Sequence, residues 1–171
     1  GKEWSRVRFP NGFVSGIMLQ VDNLTKVYGT QKALDGVSFS VQAAQVAGLL
    51  GPNGAGKSTL MKIVCGYLAP TSGTAFVCGL DVREHSLETR AMIGYLPEHN
   101  PLYLDMYVRE YLDFVGKIHM PAEKVARCRE EVIARTGLGA EACKKIKALS
   151  KGYRQRVGLA QALIHDPAVL I

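Results

Sequence analysis

The sequence predicts an α/β fold whose core combines a sheet with helices and which carries a small antiparallel β-subdomain and a helical insertion. Segments 19–24 and 36–41 alternate apolar and polar residues, as half-exposed strands do. An apolar run at 46–50 precedes a glycine-rich loop and a helical segment, which indicates a buried core strand. From about 97 to 150 the apolar spacing is helical, which predicts the insertion. A last apolar run at 168–171 begins another core strand, so we expect an incomplete sheet.

Length and composition are those of one globular domain. The chain has 171 residues, of which 47% are apolar and 21% charged, enough for a substantial core. No apolar stretch approaches the roughly 20 residues of a membrane-spanning helix. The net charge is +6, but no basic cluster is dense enough to predict a nucleic-acid partner. The cysteines lack the spacing of zinc sites, which favours reduced thiols in a cytoplasmic protein.

Residues 1–17 differ from the rest of the chain. They lack a clear period and contain a turn signal at 9–12, whereas Met18 opens a strand-like segment. We therefore expect an extension at 1–17 followed by the globular domain at 18–171. The extension is either foreign to the native chain or a genuine flexible segment.

Short strands and three helices are predicted after the glycine-rich loop. The strands are 74–77, which follows a turn, and 92–96, which ends at Pro97. The apolar face of the first helix consists of Tyr111, Leu112, Phe114, Val115 and Ile118. A second helix begins near Pro121, and its apolar residues are Val125, Cys128 and Val132. A third helix runs from 152 to about 164, and its inward residues are Val157, Ala160, Leu163 and Ile164.

The glycine-rich loop fits the phosphate-binding pattern G-x-x-x-x-G-K-S/T at every fixed position. It consists of Gly51, Pro52, Asn53, Gly54, Ala55, Gly56, Lys57, Ser58 and Thr59. Its glycines leave room for backbone N–H groups to surround phosphate oxygens, and the following helix directs its positive end to the same place. Lys57 adds a full positive charge, and the Ser58 hydroxyl is placed to bind Mg²⁺. The motif, strand and helix together favour a nucleotide site over a chance glycine-rich turn.

A second motif narrows the family. Leu149, Ser150 and Gly152 match the signature of the ATP-binding-cassette (ABC) ATPases, written L-S-G-G-Q. Lys151 and Tyr153 depart from the usual residues at their positions. Ser150 can cap the helix that follows, so that its hydroxyl and the free N–H groups form a second anion site. An ordinary capped helix is the alternative for this motif taken alone, but beside the phosphate loop the chain resembles an ABC transporter ATP-binding subunit.

The resemblance extends from 18 to 171 and implies a P-loop NTPase, RecA-like fold that binds ATP and Mg²⁺. It implies pairing with a second ATP-binding subunit and coupling of ATP hydrolysis to an integral membrane permease. The protein would then be cytoplasmic and peripheral at the inner face of the cell membrane, without a nucleic-acid partner. In such a pair, the ATP held by the partner contacts Ser150, Lys151, Gly152 and Tyr153. The helical subdomain, at about 97–150, would dock on the permease near Tyr103 and Leu104.

Two more residues acquire roles from the resemblance. Tyr28 occupies the place of the aromatic residue that stacks on adenine, and its ring offers the flat apolar face required. Glu98 stands where most members carry a glutamine that touches Mg²⁺, and its carboxylate is also a hard oxygen ligand. The alternatives are a loop tyrosine for Tyr28 and a surface acid after a strand for Glu98.

The catalytic acids of the family are expected beyond Ile171. In the family, an apolar strand ends in an Asp followed by a Glu, the Walker B motif, and here that strand is 168–171. No catalytic residue is therefore assigned within the chain, and His165 is assigned to a helix end rather than to the family's switch histidine. We expect the polypeptide to bind ATP and to hydrolyse it at a negligible rate.

Shorter segments indicate a branch of the family. Segments 93–98 and 149–156 look most like drug-exporter and gliding-motility-associated ATP-binding subunits, and 97–103 resembles the latter in particular. One alternative is a soluble ABC-type ATPase acting on nucleic acid or ribosomes, which tandem cassettes or a coiled-coil insertion would favour. A second alternative is a non-catalytic nucleotide-binding fragment. A P-loop kinase is a third and less favoured alternative, because the signature motif at 149–156 would have no purpose in a kinase.

Overall fold

The computed structural model describes residues 16–171, which form two compact units, one ending at Met92 and one beginning at Ile93. The extension predicted for 1–17 lies outside the described residues, apart from Gly16 and Ile17. Each helix described between 16 and 171 is too short or too polar to span a lipid bilayer.

The first unit is built on a four-stranded antiparallel sheet with the strand order β2-β1-β3-β4. Its strands are β1 (Ile17–Tyr28), β2 (Gln31–Gln42), β3 (Ser72–Val77) and β4 (Leu80–Asp81). The predicted strands 19–24, 36–41 and 74–77 are confirmed, and the first two pair with each other as expected. Val21 lies opposite Ala75 across the β1–β3 ladder, and both are buried, so the apolar alternation fixes the register.

Two helices belong to the first unit, α1 (Lys57–Val64) and α2 (Ser86–Ala91). Helix α1 follows the glycine-rich loop directly, as predicted. It buries Leu60, Ile63 and Val64, whose spacing places them on one face of the helix. The apolar pattern does not predict α2, because six residues give too little periodicity to distinguish a helix from a turn.

One predicted element is wrong, because the apolar run before the glycine-rich loop is not a strand. Residues 45–50 are irregular, and Val46 and Leu50 are 97% and 94% exposed. A core strand needs backbone hydrogen-bond partners, and no strand described between 16 and 171 pairs with this run. The run has the apolar composition of a core strand, but within the described residues it lacks the partner strand that would make it one.

The second unit combines a short parallel ladder with three helices. Strands β5 (Ile93–Gly94) and β6 (Val169–Leu170) pair in parallel, and the Ile171 amide donates to the Gly94 carbonyl at 2.8 Å. The helices are α3 (Val108–His119), α4 (Ala122–Arg135) and α5 (Lys151–Leu163), with short 3-10 turns at Gly139–Glu141 and Ile146–Ala148. The three predicted helices are confirmed, and the two predicted strands are present but shorter than expected.

The buried face of α3 contains Tyr111, Leu112 and Val115 as predicted, but it differs from the prediction at two positions. Phe114 and Ile118 are 41% and 67% exposed, whereas Val108 and Gly116 are buried. A Cβ on Gly116 would lie 2.8 Å from Val125 Cγ1, so α4 approaches α3 closely at the glycine. Gly116 therefore belongs to the buried face of α3, and Ile118 lies outside it. Of the inward positions predicted on α4 and α5, two are half-buried, Cys128 and Leu163, and five are buried, namely Val125, Val132, Val157, Ala160 and Ile164.

Candidate nucleotide-binding site

The predicted phosphate loop is an irregular turn that ends where α1 begins. Gly54 and Gly56 have φ angles of +84° and +83°, a left-handed conformation that residues with a Cβ rarely adopt. The Ala55 N–H donates to the Pro52 carbonyl at 3.2 Å and closes the turn. The N–H groups of Gly54 and Gly56 find no acceptor among residues 16–171. Free backbone amides in such a turn form an anion-binding concavity.

The loop rests on β2 through Gly56. A Cβ on Gly56 would lie 2.1 Å from the Ala33 carbonyl oxygen and 2.9 Å from Leu34 Cδ2, closer than real Cβ contacts. A Cβ on Gly54 would meet no atom within 4 Å. The loop therefore needs the conformational freedom of glycine at both positions. At Gly56 the close contact with β2 also leaves no room for a side chain.

Lys57 is the first residue of α1, and its side chain folds back across the loop. Its Nζ donates to the carbonyl oxygens of Gly51 at 2.6 Å and Pro52 at 2.7 Å. The N–H groups of Lys57 and Ser58 lie in the first turn of α1, where no side chain caps the helix. The ammonium group, the free amides and the positive end of the helix dipole are thus close together along the chain.

These groups fit the phosphate chain of a nucleotide with Mg²⁺. Fixed amide donors at a helix N-terminus and an ammonium group all favour an anion at this place. The Ser58 residue is exposed, and its hydroxyl has no hydrogen-bond partner within the described residues. A hydroxyl oxygen is a hard ligand, and Mg²⁺ at such sites takes its other ligands from water and phosphate. Lys57 can therefore bind the phosphate chain, and the adjacent Ser58 can bind the Mg²⁺ that accompanies it.

Tyr28 ends β1, in the hairpin that supports the loop. It pairs with Gln31, which is two residues, or about 7 Å along the strand, before Ala33, on which the loop rests. The residue is 49% exposed, and Lys26 Nζ lies 5.3 Å from the centroid of its ring. Lys26 also donates to the Ala69 carbonyl at 2.8 Å. The motifs do not indicate Lys26, although its place two residues before Tyr28 in one strand is a signal that points to it.

The signature residues stand at the start of α5, in the second unit. Ser150 is the N-cap, and its Oγ accepts a hydrogen bond from the Tyr153 N–H at 3.4 Å, as the capping prediction requires. Ser150, Lys151 and Gly152 are exposed, and a Cβ on Gly152 would meet no atom within 4 Å. The Tyr153 ring instead packs against the buried cluster of the second unit, with Arg156 Cζ 5.3 Å from its centroid. Three of the four residues are thus accessible, and Tyr153 anchors the start of the helix.

Glu98 lies on the surface of the second unit, in the irregular segment after β5. Its carboxylate makes no hydrogen bond or ion pair within the described part of the chain. The nearby Asn100 side chain packs against α5 where Gly158 lacks a side chain, because a Cβ there would lie 1.7 Å from Asn100 Nδ2. The first unit thus contains both the phosphate loop and Tyr28. Glu98 belongs to the second unit, and its metal-binding role stays a prediction.

His165 follows α5 and contacts residues of its own unit. Its ring stacks on that of His119 with 4.2 Å between centroids, and its Nε2 lies 3.1 Å from the Ile93 carbonyl oxygen. Burial lowers the pKa of His165 and that of His119, which favours the neutral form of both rings. These contacts agree with the structural role at a helix end that was predicted for His165.

Comparison with known proteins decides the family. The family described as ABC transporter matches residues 34–171, which include the phosphate loop and the signature segment. The chain belongs to the ABC transporter family. The predicted family and its α/β P-loop NTPase fold are thereby confirmed, and the chain is an ATP-binding domain of that family.

Three proteins show how far the similarity to ABC transporters extends. The uncharacterized ABC transporter ATP-binding protein YxlF of Bacillus subtilis (strain 168) is 41% identical over 157 residues, which cover 90% of this chain and 51% of YxlF. The probable multidrug ABC transporter ATP-binding protein YbhF of Escherichia coli (strain K12) is 38% identical over 158 residues, which cover 90% of this chain and 27% of YbhF. The structure of cbiO1 from Clostridium perfringens, part of the ABC transporter complex cbiONQ, has a TM-score of 0.81 at 28% identity and covers 91% of this chain and 64% of cbiO1. The chain therefore spans about half the length of YxlF, 27% of the length of YbhF and under two thirds of the length of cbiO1.

Proposed function

We propose that this chain is the ATP-binding cassette of an export-type ABC transporter, in which ATP binding and hydrolysis drive a substrate across a membrane. The observation that carries the proposal is the phosphate loop, where the Lys57 ammonium and the free amides of Gly54 and Gly56 meet at the start of α1. The export assignment is supported by the 38% identity to YbhF, a probable multidrug ABC transporter ATP-binding protein.

Each residue of the loop has a definite task in this proposal. The amides of Gly54 and Gly56 and those of the first turn of α1 donate to phosphate oxygens. Lys57 exchanges its two carbonyl acceptors for phosphate oxygens, which carry more negative charge. Ser58 would supply one oxygen ligand to Mg²⁺, which would neutralise charge on the phosphates.

The remaining predicted residues complete the site by analogy with the family. The exposed ring of Tyr28 stacks on the base of ATP. Glu98 is a second candidate ligand for Mg²⁺, on the strength of the resemblance and its uncommitted carboxylate. In a pair of cassettes, Ser150, Lys151 and Gly152 face the ATP of the partner, which their exposure permits.

An apolar patch on the second unit is proposed to dock on a membrane permease. Tyr103, Leu104, Phe114 and Ile118 are between 41% and 67% exposed, and the rings of Tyr103 and Phe114 lie 5.7 Å apart. Docking there would hold the protein at the inner face of the membrane, on the cytoplasmic side. The resemblance of 97–103 to gliding-motility-associated subunits stays a prediction about the identity of that transporter.

The 171-residue chain is expected to bind ATP more tightly with Mg²⁺ and to release phosphate no faster than its Lys57→Ala variant. Within these residues no acidic side chain follows β6 to position the attacking water. Titration with a fluorescent ATP analogue measures binding, and a colorimetric phosphate assay measures hydrolysis. Phosphate release clearly above the variant would contradict the inactivity of this chain, and absence of saturable ATP binding would contradict the proposed function itself.

A further inference from the structure

The end of β1 carries a cation beside the ring proposed to stack on the base. Lys26 Nζ lies 5.3 Å from the centroid of the Tyr28 ring, within the distance at which an ammonium group is attracted to an aromatic face. The same Nζ donates to the Ala69 carbonyl oxygen at 2.8 Å. The ammonium is therefore held from two sides, by the ring and by a backbone acceptor.

The backbone acceptor of Lys26 belongs to a turn that is fixed to β1. The Thr71 amide donates to the Thr25 carbonyl at 2.9 Å, and the Val27 amide donates to the Thr71 hydroxyl at 3.0 Å. These two bonds tie the turn to the strand on either side of Lys26. Because the turn carries Ala69, its carbonyl is a fixed anchor for the ammonium rather than a chance contact of a mobile side chain.

We propose that Lys26 is a positioning residue that holds the Tyr28 ring ready to stack on the base of the nucleotide. Lys26 restrains one face of the ring, and the exposed remainder is left for the base. The inference rests on the proposed function, since it gives Lys26 a purpose only if Tyr28 stacks on the base. It predicts that Lys26 acts through Tyr28 and has no share in binding the phosphates.

Comparison of ATP with inorganic tripolyphosphate tests this inference, because only ATP carries a base. Lys26→Met is expected to lower the affinity of the 171-residue chain for ATP about three- to fivefold, the loss of one cation–π contact. The affinity for tripolyphosphate is expected to stay unchanged, which also shows that the variant is folded. Lys26→Arg is expected to restore ATP affinity, because a guanidinium group keeps the charge and the donors.

Three further variants test whether Lys26 acts through Tyr28 rather than through its charge alone. Lys32→Met removes the same charge from the same hairpin, where Lys32 pairs with Asp35 at 3.0 Å, and is expected to leave ATP affinity unchanged. Tyr28→Ala is expected to lower ATP affinity about tenfold through lost stacking. Adding Lys26→Met to Tyr28→Ala is expected to cause no further loss.

Several outcomes would overturn the inference. They are an equal loss of tripolyphosphate affinity in Lys26→Met, an additive loss in the double variant, and unchanged ATP affinity in Lys26→Met. A Tyr28→Ala variant with full ATP affinity would also overturn it, while leaving the phosphate loop assignment in place. If the unmodified chain bound neither ATP nor tripolyphosphate, the proposed function itself would be overturned.

Discussion

Replacing Lys57 by alanine is expected to lower the affinity for ATP by roughly 100-fold, the largest effect of any single substitution in the loop. Lys57 is the one full positive charge between 51 and 59, and a hydrogen bond from a charged group contributes about 1.5–3 kcal/mol. Its ammonium already lies against the loop carbonyls of Gly51 and Pro52, so it needs little movement to reach a phosphate. Isothermal titration with ATP and Mg²⁺ measures the loss.

Lys62→Ala is the matched control for the Lys57 prediction. Lys62 lies on the same helix, is exposed, and belongs to the last turn of α1 rather than to the loop. Its replacement changes the net charge by the same amount and is expected to leave ATP affinity nearly unchanged. Equal losses in both variants would show that general electrostatic attraction, not the loop, binds the nucleotide. Full affinity in Lys57→Ala would refute the assignment of the loop.

Gly56→Ala is expected to be the most destabilising single-methyl addition in the loop, at about 3 kcal/mol of unfolding free energy. The left-handed conformation costs a residue with a Cβ about 1–2 kcal/mol, and displacing a packed backbone adds about 1–3 kcal/mol. The added Cβ meets the Ala33 carbonyl oxygen at 2.1 Å, so either the loop or β2 must shift. Urea unfolding measures the change, and a weaker ATP affinity is expected to accompany it.

Gly54→Ala isolates the contribution of that contact. Gly54 has nearly the same φ angle, +84° against +83° for Gly56, but a Cβ on Gly54 meets no atom within 4 Å. This variant is therefore expected to lose only the conformational share, about 1–2 kcal/mol. If both variants lost the same stability, the contact between the loop and Ala33 would have no energetic role.

The parts of the structure that depend on local chemistry could be predicted from the sequence. The β1–β2 hairpin follows from alternation, because the apolar residues of segment 19–24 in β1 are buried and those of segment 36–41 in β2 are half-buried, while the polar residues of 36–41 are exposed. The phosphate loop follows from its glycines and Lys57, because the positive φ angles and the ammonium group are properties of the motif itself. The Ser150 cap follows for the same reason, since its acceptor and donor are three residues apart.

The parts that depend on distant partners could not be predicted. The run 46–50 is apolar enough for a strand, but a strand exists only where another pairs with it. Gly116, where α4 approaches, lies on the inward face of α3, whereas Ile118, which the apolar pattern favoured, does not. Ala33 contacts Gly56 across the fold, and no pattern in the sequence around either residue indicates this contact.

The loop from 51 to 59 is proposed to bind the phosphate chain of ATP. Amide chemical-shift titration of the 171-residue chain with ATP and Mg²⁺ tests it most directly, because it reports on each backbone N–H separately. We expect the largest shifts on the amides of Gly54, Gly56, Lys57 and Ser58, which find no acceptor within the described residues. Saturable shifts confined to other parts of the chain, with these four amides unmoved, would contradict it.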